Sequence, residues 1–269
     1  MLDKTKEYLI YLESERNLSR ATLITAQNEL DNLFIKYGGD VEQFLARDVL
    51  PQTRNKTRAV LLGYSKYLLD HGWTTINPML KIPKAKTVRL TPKFLTPAQM
   101  LGVIDAINGT DFKSVRDRTI FEIGVCIASR TGDFKELLLT DVDLVNKTIK
   151  VFGKGRRESF QILTDRCIGH INTYLKLRAS VAKCDYFLVN ENGTQLKSVY
   201  PVFCKYLKGI INPHAFTRHS VAMAMLRSGA DIAALRDLLR HSNIATTSTY
   251  LLIDKNVLRT TINNTHPVR

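Results

Sequence analysis

Between residues 77 and 97 the chain carries four prolines, Pro78, Pro83, Pro92 and Pro97, and no apolar period, whereas the stretches on either side repeat at helical spacing. Proline lacks a backbone N–H and fixes φ, so a segment this rich in it interrupts both a continuous helix and a central strand. The basic run KIPKAKTVRLTPK reads as a linker over residues 85–93, and the chain has to fold as two units, 1–84 and 94–269. A length of 269 residues suits that division, and an apolar content of 44% supplies two ordinary cores.

Ahead of the linker, Tyr8, Leu9 and Leu12 share a helical face within residues 2–16, and Asn17, Leu18 and Ser19 break the pattern. Leu23, Ala26, Leu30, Leu33 and Phe34 restore it over 20–37, with Ser19 placed to cap. A short helix at 41–47 and a longer basic one at 53–71 complete a four-helix unit. Beyond the linker, Thr96 followed by Pro97 is a helix start, a capping residue and then proline at the first helical position, opening a helix to residue 107. Residues 112–128 continue as helix, and 136–139 lead into a turn at 140–143. Residues 148–152 and 158–162 alternate as two strands around Gly153, Lys154 and Gly155, which predicts a hairpin with Lys154 at its tip. Helices are predicted again at 165–179, 196–208, 215–228, 231–240 and 244–250. The fold class is mainly α with a small antiparallel β-sheet, α+β.

Lys and Arg outnumber Asp and Glu by 39 to 25, a formal charge of +14, and the excess is present in both units. Such a potential attracts polyanions and makes nucleic acid the first partner to consider. Cys126, Cys167, Cys184 and Cys204 stand far apart with no CxxC pair, so neither a zinc ribbon nor a disulfide framework is indicated. The N-terminus, MLDKTKEYLIYLESE, mixes acids with apolar residues and has no signal-peptide core, and no apolar run approaches a membrane span. A cytoplasmic protein without membrane contact, metal or cofactor is expected, and no GxxxxGK[ST] nucleotide loop occurs.

The chemistry concentrates toward the C-terminus. Tyr250 follows His241 by nine residues in RHSNIATTSTY, and His214 and Arg218 lie upstream in HAFTRH. A phenol has an ordinary pKa of about 10, so it attacks a phosphodiester at neutral pH only beside a base or in an electropositive pocket. Arginine is the natural phosphate clamp, because its planar fork binds two oxygens and stays charged. Arg130, in SRTGDFKELLLTDVDL, and Lys154, in IKVFGKGRRE, add further cations.

These segments together resemble the tyrosine recombinases, the phage-integrase and Xer family. The resemblance implies that Tyr250 is the nucleophile and forms a 3′-phosphotyrosyl link, that Arg130 and Arg218 clamp the phosphate, and that Lys154 protonates the leaving 5′ oxygen. It also implies that His241 hydrogen-bonds the phosphate and that His214 assists proton transfer with Tyr250. His219, beside Arg218, is read as structural. Lys147, Lys150, Arg156 and Arg157 flank the hairpin and are expected to touch DNA backbone rather than perform chemistry. ESERNLSRATL and INPMLKIPK resemble the family's helical core-binding domain and its exit, so residues 1–84 are expected to clamp DNA opposite a catalytic domain at 94–269. No arm-site domain is expected ahead of residue 1. The family works as a tetramer on specific recombination sites, here a homo-tetramer or a hetero-tetramer with a paired recombinase. The tail LLIDKNVLRTTINNTHPVR resembles its C-terminal docking helix, with Leu251, Leu252, Val257 and Leu258 as docking residues and an Xer-like ending.

Three departures from the family pattern carry expectations. His214 and Arg218 are separated by three residues where the family has two, and Ala215 holds the usual histidine slot. On an α-helix one residue is about 100° of azimuth, so His214 is turned from the expected direction. Arg240 stands where a glycine normally precedes the histidine, which predicts a left-handed backbone on an arginine. IASR replaces TGLR before the first arginine. Three other readings stay open: a catalytically weakened relative acting as a DNA-binding accessory factor, a type IB topoisomerase, and a metal-dependent nuclease using Asp141 and Asp143.

Overall fold

The computed structural model describes residues 3–87, 92–153 and 158–250. The chain forms two compact units, 1–90 and 91–269.

In the first unit α1 (Thr5–Ser14) and α2 (Arg20–Asp31) are separated by Asn17, whose positive φ of 45° ends the first helix. The helical path of α2 runs on through one π-helical turn, Asn32–Lys36. Asp40 then caps α3 (Val41–Ala46) by accepting from Gln43 N. The fourth helix, α4 (Pro51–Asp70), starts with Pro51 inside its first turn, where the missing N–H costs no hydrogen bond. Leu30, Leu33, Phe44, Leu61 and Tyr64 are fully buried at the centre. Arg47, Glu29 and the buried Thr57 form one hydrogen-bonded group that ties α2, α3 and α4 together.

The second unit is built on α6 (Phe112–Cys126), preceded by α5 (Pro97–Asp105), whose Thr96 and Gln99 complete a reciprocal capping box. Ile120, Phe121 and Ile123 are fully buried, and even the polar Arg116, Asp117, Thr119 and Glu122 are inside, so α6 is buried over most of its circumference. The buried Arg116–Asp117 pair, 2.7 Å apart, also reaches the Val189 carbonyl.

The hairpin pairs β2 (Thr148–Phe152) with β3 (Glu158–Ile162) in antiparallel register, Ile149 opposite Gln161 and Val151 opposite Ser159. A two-residue strand, β1 (Val142–Asp143), adds to the free edge of β2. Ile149 and Val151 face the core while Phe160 and Ile162 face outward. After the sheet come α7 (Asp165–Val181), capped by Thr164, and α8 (Tyr200–Leu207).

The last third of the unit holds His214, Arg218, His241 and Tyr250, four of the residues singled out from the sequence. Residues Ala215–Ser220 form a π-helical turn that passes directly into α9 (Val221–Arg227). It is followed by α10 (Ile232–Leu239), capped by Asp231, and α11 (Ile244–Ser248), capped by Asn243. Among the described residues no helix is long and apolar enough to cross a membrane.

Candidate active site

The C-terminal end of α10 organises the site. Arg240 adopts the left-handed backbone expected of it, φ 51° and ψ 47°. Its N–H bonds to Asp237 O at 3.0 Å and the His241 N–H to Arg236 O at 3.1 Å, the paired bonds of a Schellman turn. For an arginine this backbone costs roughly 1 kcal/mol. The turn leaves the Leu239 carbonyl without a helical partner, at the negative end of the helix dipole. Two guanidinium groups fill that vacancy: Arg218 Nη2 donates to Leu239 O at 2.5 Å and Arg130 Nη2 reaches it at 3.5 Å.

Arg130 arrives from the loop after α6, where Ala128 has a positive φ of 46°. Its own N–H donates to Asp133 Oδ2 at 2.7 Å, which fixes the short 3-10 turn Thr131–Phe134. Asp133 also takes the Arg240 guanidinium in a buried ion pair. The π-helical turn locks onto the same loop: Thr217 Oγ1 donates to Ser129 O and Arg218 Nη1 to Ala128 O, each at 2.8 Å. Arg218 is 1% exposed.

His241 follows the Schellman turn. Its Nε2 lies 3.0 Å from Arg218 Nη2, which can only donate, so Nε2 accepts and the ring proton sits on Nδ1, donating to Thr247 Oγ1 at 2.9 Å. Thr247 is fully buried on α11, and Tyr250 comes just after that helix, 4% exposed.

The partner of the Tyr250 hydroxyl is His219 Nδ1, at 2.8 Å. His214 lies one step further out, its ring edge-on to His219 at 4.9 Å between centroids. From sequence alone His219 reads as structural. Its signal was the extra residue between His214 and Arg218: the π-helical turn absorbs that residue, and its i→i+5 bonding brings positions five apart, His214 and His219, over one another. His214 is exposed on its outer side and feels the charges of Arg218 and Arg130.

Burial and like charge set the protonation states. Removal from water, then the cations of Arg130 and Arg240, pulls Arg218 down to about 10, still charged at neutral pH. His214 and His241 are each pushed down to about 4, first by burial and then by neighbouring cations. His219 is lowered for the same reasons. All three imidazoles are therefore neutral acceptors or donors at pH 7. Burial raises the Tyr250 phenol, and Arg218 pulls it back.

Of the residues singled out from sequence, Arg130, Arg218, His241, His214 and Tyr250 gather in one place. Lys154, Arg156 and Arg157 lie outside the described residues, as do Leu251, Leu252, Val257 and Leu258. Lys147 has a positive φ of 54° and pairs with Asp165 at 2.7 Å, and Lys150 pairs with Asp141 at 3.0 Å. Asp141 also accepts from Leu138 N, and Asp143 from the N–H groups of Val145 and Asn146, so both carboxylates are occupied in building the turn.

Comparison with known proteins places this arrangement. The model of the phage integrase family matches residues 93–256. Tyrosine recombinase XerC of Staphylococcus carnosus (strain TM300) is 28% identical over 291 residues, covering 99% of this chain and 98% of that protein. Tyrosine recombinase XerC of Shewanella amazonensis (strain ATCC BAA-1098 / SB2B) is 28% identical over 278 residues, 96% and 93% of the two chains. Among solved structures, the XerH site-specific recombinase in its post-cleavage complex with palindromic difH substrate superposes with a TM-score of 0.75 at 19% identity, over 98% of this chain and 86% of that one. The Tn1549 transposon integrase in complex with a circular intermediate DNA gives 0.75 at 17%, over 97% and 98%. The fold is thus shared with these recombinases, and with a family match over more than half its length the chain belongs to the phage integrase family.

Proposed function

We propose that this protein is an Xer-like tyrosine recombinase, which cuts and rejoins DNA at specific sites through a covalent intermediate on Tyr250. The observation that carries the reading is the Tyr250 hydroxyl, bonded at 2.8 Å to a neutral imidazole and within the field of the buried Arg218.

In the reaction, the Tyr250 Oη attacks a DNA phosphorus, the Oη–P bond forms, and the P–O5′ bond breaks. The phenol proton passes to His219 Nδ1, which accepts it because the ring is neutral. Arg130 and Arg218 neutralise the charge that builds on the non-bridging oxygens. The hydrogen bond from His241 to the phosphate that the family resemblance implies needs its proton moved from Nδ1 to Nε2, which is freed when Arg218 turns toward the phosphate. Lys154 supplies the proton for the leaving 5′ oxygen, the role implied by the family resemblance. Because the phosphotyrosyl link conserves the energy of the broken ester, a 5′ hydroxyl from a second duplex reverses the attack and joins new strands without ATP. Residues 1–84 form the core-binding domain, 85–93 the linker and 94–269 the catalytic domain. The working form is a tetramer on double-stranded DNA, a homo-tetramer or one shared with a paired recombinase, in the cytoplasm. Lys147, Lys150, Arg156 and Arg157 contribute backbone contacts.

The test is a suicide DNA substrate, nicked so that the 5′-hydroxyl fragment diffuses away. The expected result is a protein–DNA adduct that is lost in Tyr250→Phe and unaffected by EDTA. DNA binding with no adduct in the parent protein would instead assign the chain to an accessory role.

A further inference from the structure

Asp133 is three residues from Arg130 and buried beside it, so its carboxylate is the obvious ion-pair partner for the Arg130 guanidinium. That pairing does not form. Asp133 accepts from the Arg130 backbone N–H and from Arg240 Nη2, and the single hydrogen bond of the Arg130 guanidinium among the described residues is the long one to Leu239 O. The Arg240 side chain is 7% exposed, and its Nε and Nη1 have no hydrogen-bond partner among the described residues. A guanidinium held this way, on a left-handed backbone that favours glycine, is costly, and its two evident effects both fall on the site. It occupies Asp133, and its charge lies close enough to lower the pKa of both Arg130 and Arg218.

We propose that Arg240 is a positioning residue for strand cleavage: by capturing the Asp133 carboxylate it keeps the Arg130 guanidinium available for the scissile phosphate. The inference rests on the cleavage reading above. Without Arg240, Asp133 turns to Arg130, and a phosphate has to compete with an internal carboxylate for that cation. Arg240 thereby acts on the reaction through Arg130 and touches no reacting atom.

Second-site rescue on the suicide substrate, at saturating DNA, separates this role from simple support of the fold. Arg240→Gly suits the left-handed backbone and is expected to cleave about tenfold more slowly, a fraction of the loss from removing a transition-state donor outright. Adding Asp133→Asn to it removes the competing charge and is expected to restore most of the rate, while Arg240→Lys stays near the parent. Should Arg240→Gly lack a cooperative melting transition, Arg240→Gln with and without Asp133→Asn reads the same comparison. An Arg240→Gly protein as fast as the parent, or a double variant no faster than the single, overturns the proposal. A parent protein that leaves no adduct overturns the cleavage reading and this inference with it, so the two failures are distinguishable.

Discussion

His219 and His214 both stand near the nucleophile, and their geometry assigns them unequal shares. His219 touches the Tyr250 hydroxyl, whereas His214 reaches it only through the His219 ring. Proton transfer by a positioned side chain contributes about 10²–10⁴ in rate, so His219→Ala is expected to lower single-turnover cleavage by that order. His214→Ala is expected to lose far less, and equal losses in the two variants would refute the assignment of the base to His219. Most members of this cluster are legible in the sequence, but the hydrogen bond from Tyr250 to His219 is not. Arg130, Arg218, His241 and Tyr250 were recognisable from residue type, order and spacing. His219 was not, because an α-helix would have turned adjacent positions about 100° apart and away from the tyrosine.

At the scale of elements, the π-helical turn and the end of α10 carry all three imidazoles, and each is held below the ordinary histidine value of 6.5. An unfolded chain takes up these protons first as pH falls, so protonation favours unfolding between about 6.5 and 4. The melting temperature is expected to be flat above pH 6.5, to drop as pH falls toward 4, and to drop less in a His214→Gln, His241→Gln double variant. A parent curve that is level across that window would show that the rings titrate normally. The local elements differ in how openly the sequence announced them. Strict alternation marked both hairpin strands at their observed limits, whereas β1, two residues long, has no room for a period. The helix read over 196–208 begins only at Tyr200, because Pro201 sits in its first turn. The π-helical turn has the same apolar content as an ordinary helix, so the only trace of it was the residue inserted between His214 and Arg218.

For the whole molecule, a charge of +14 spread over both units governs encounter with DNA. A protein that neutralises 6–10 phosphates loses about 10³–10⁵ in affinity between 50 and 200 mM salt, and a fall of that size is expected for this chain in equilibrium binding. A binding constant insensitive to salt would remove the electrostatic account. The linker prolines made the division into two units readable from sequence, because no helix or central strand tolerates that spacing. The Leu239 carbonyl, by contrast, left no mark in the sequence, although Arg130 and Arg218 both converge on it. Because one main-chain oxygen is shared by both cations, fraying of that helix end loosens the two at once, although Arg218 keeps its bond to the Ala128 carbonyl. The two phosphate clamps are thereby coupled, so a disturbance at one helix terminus reaches both.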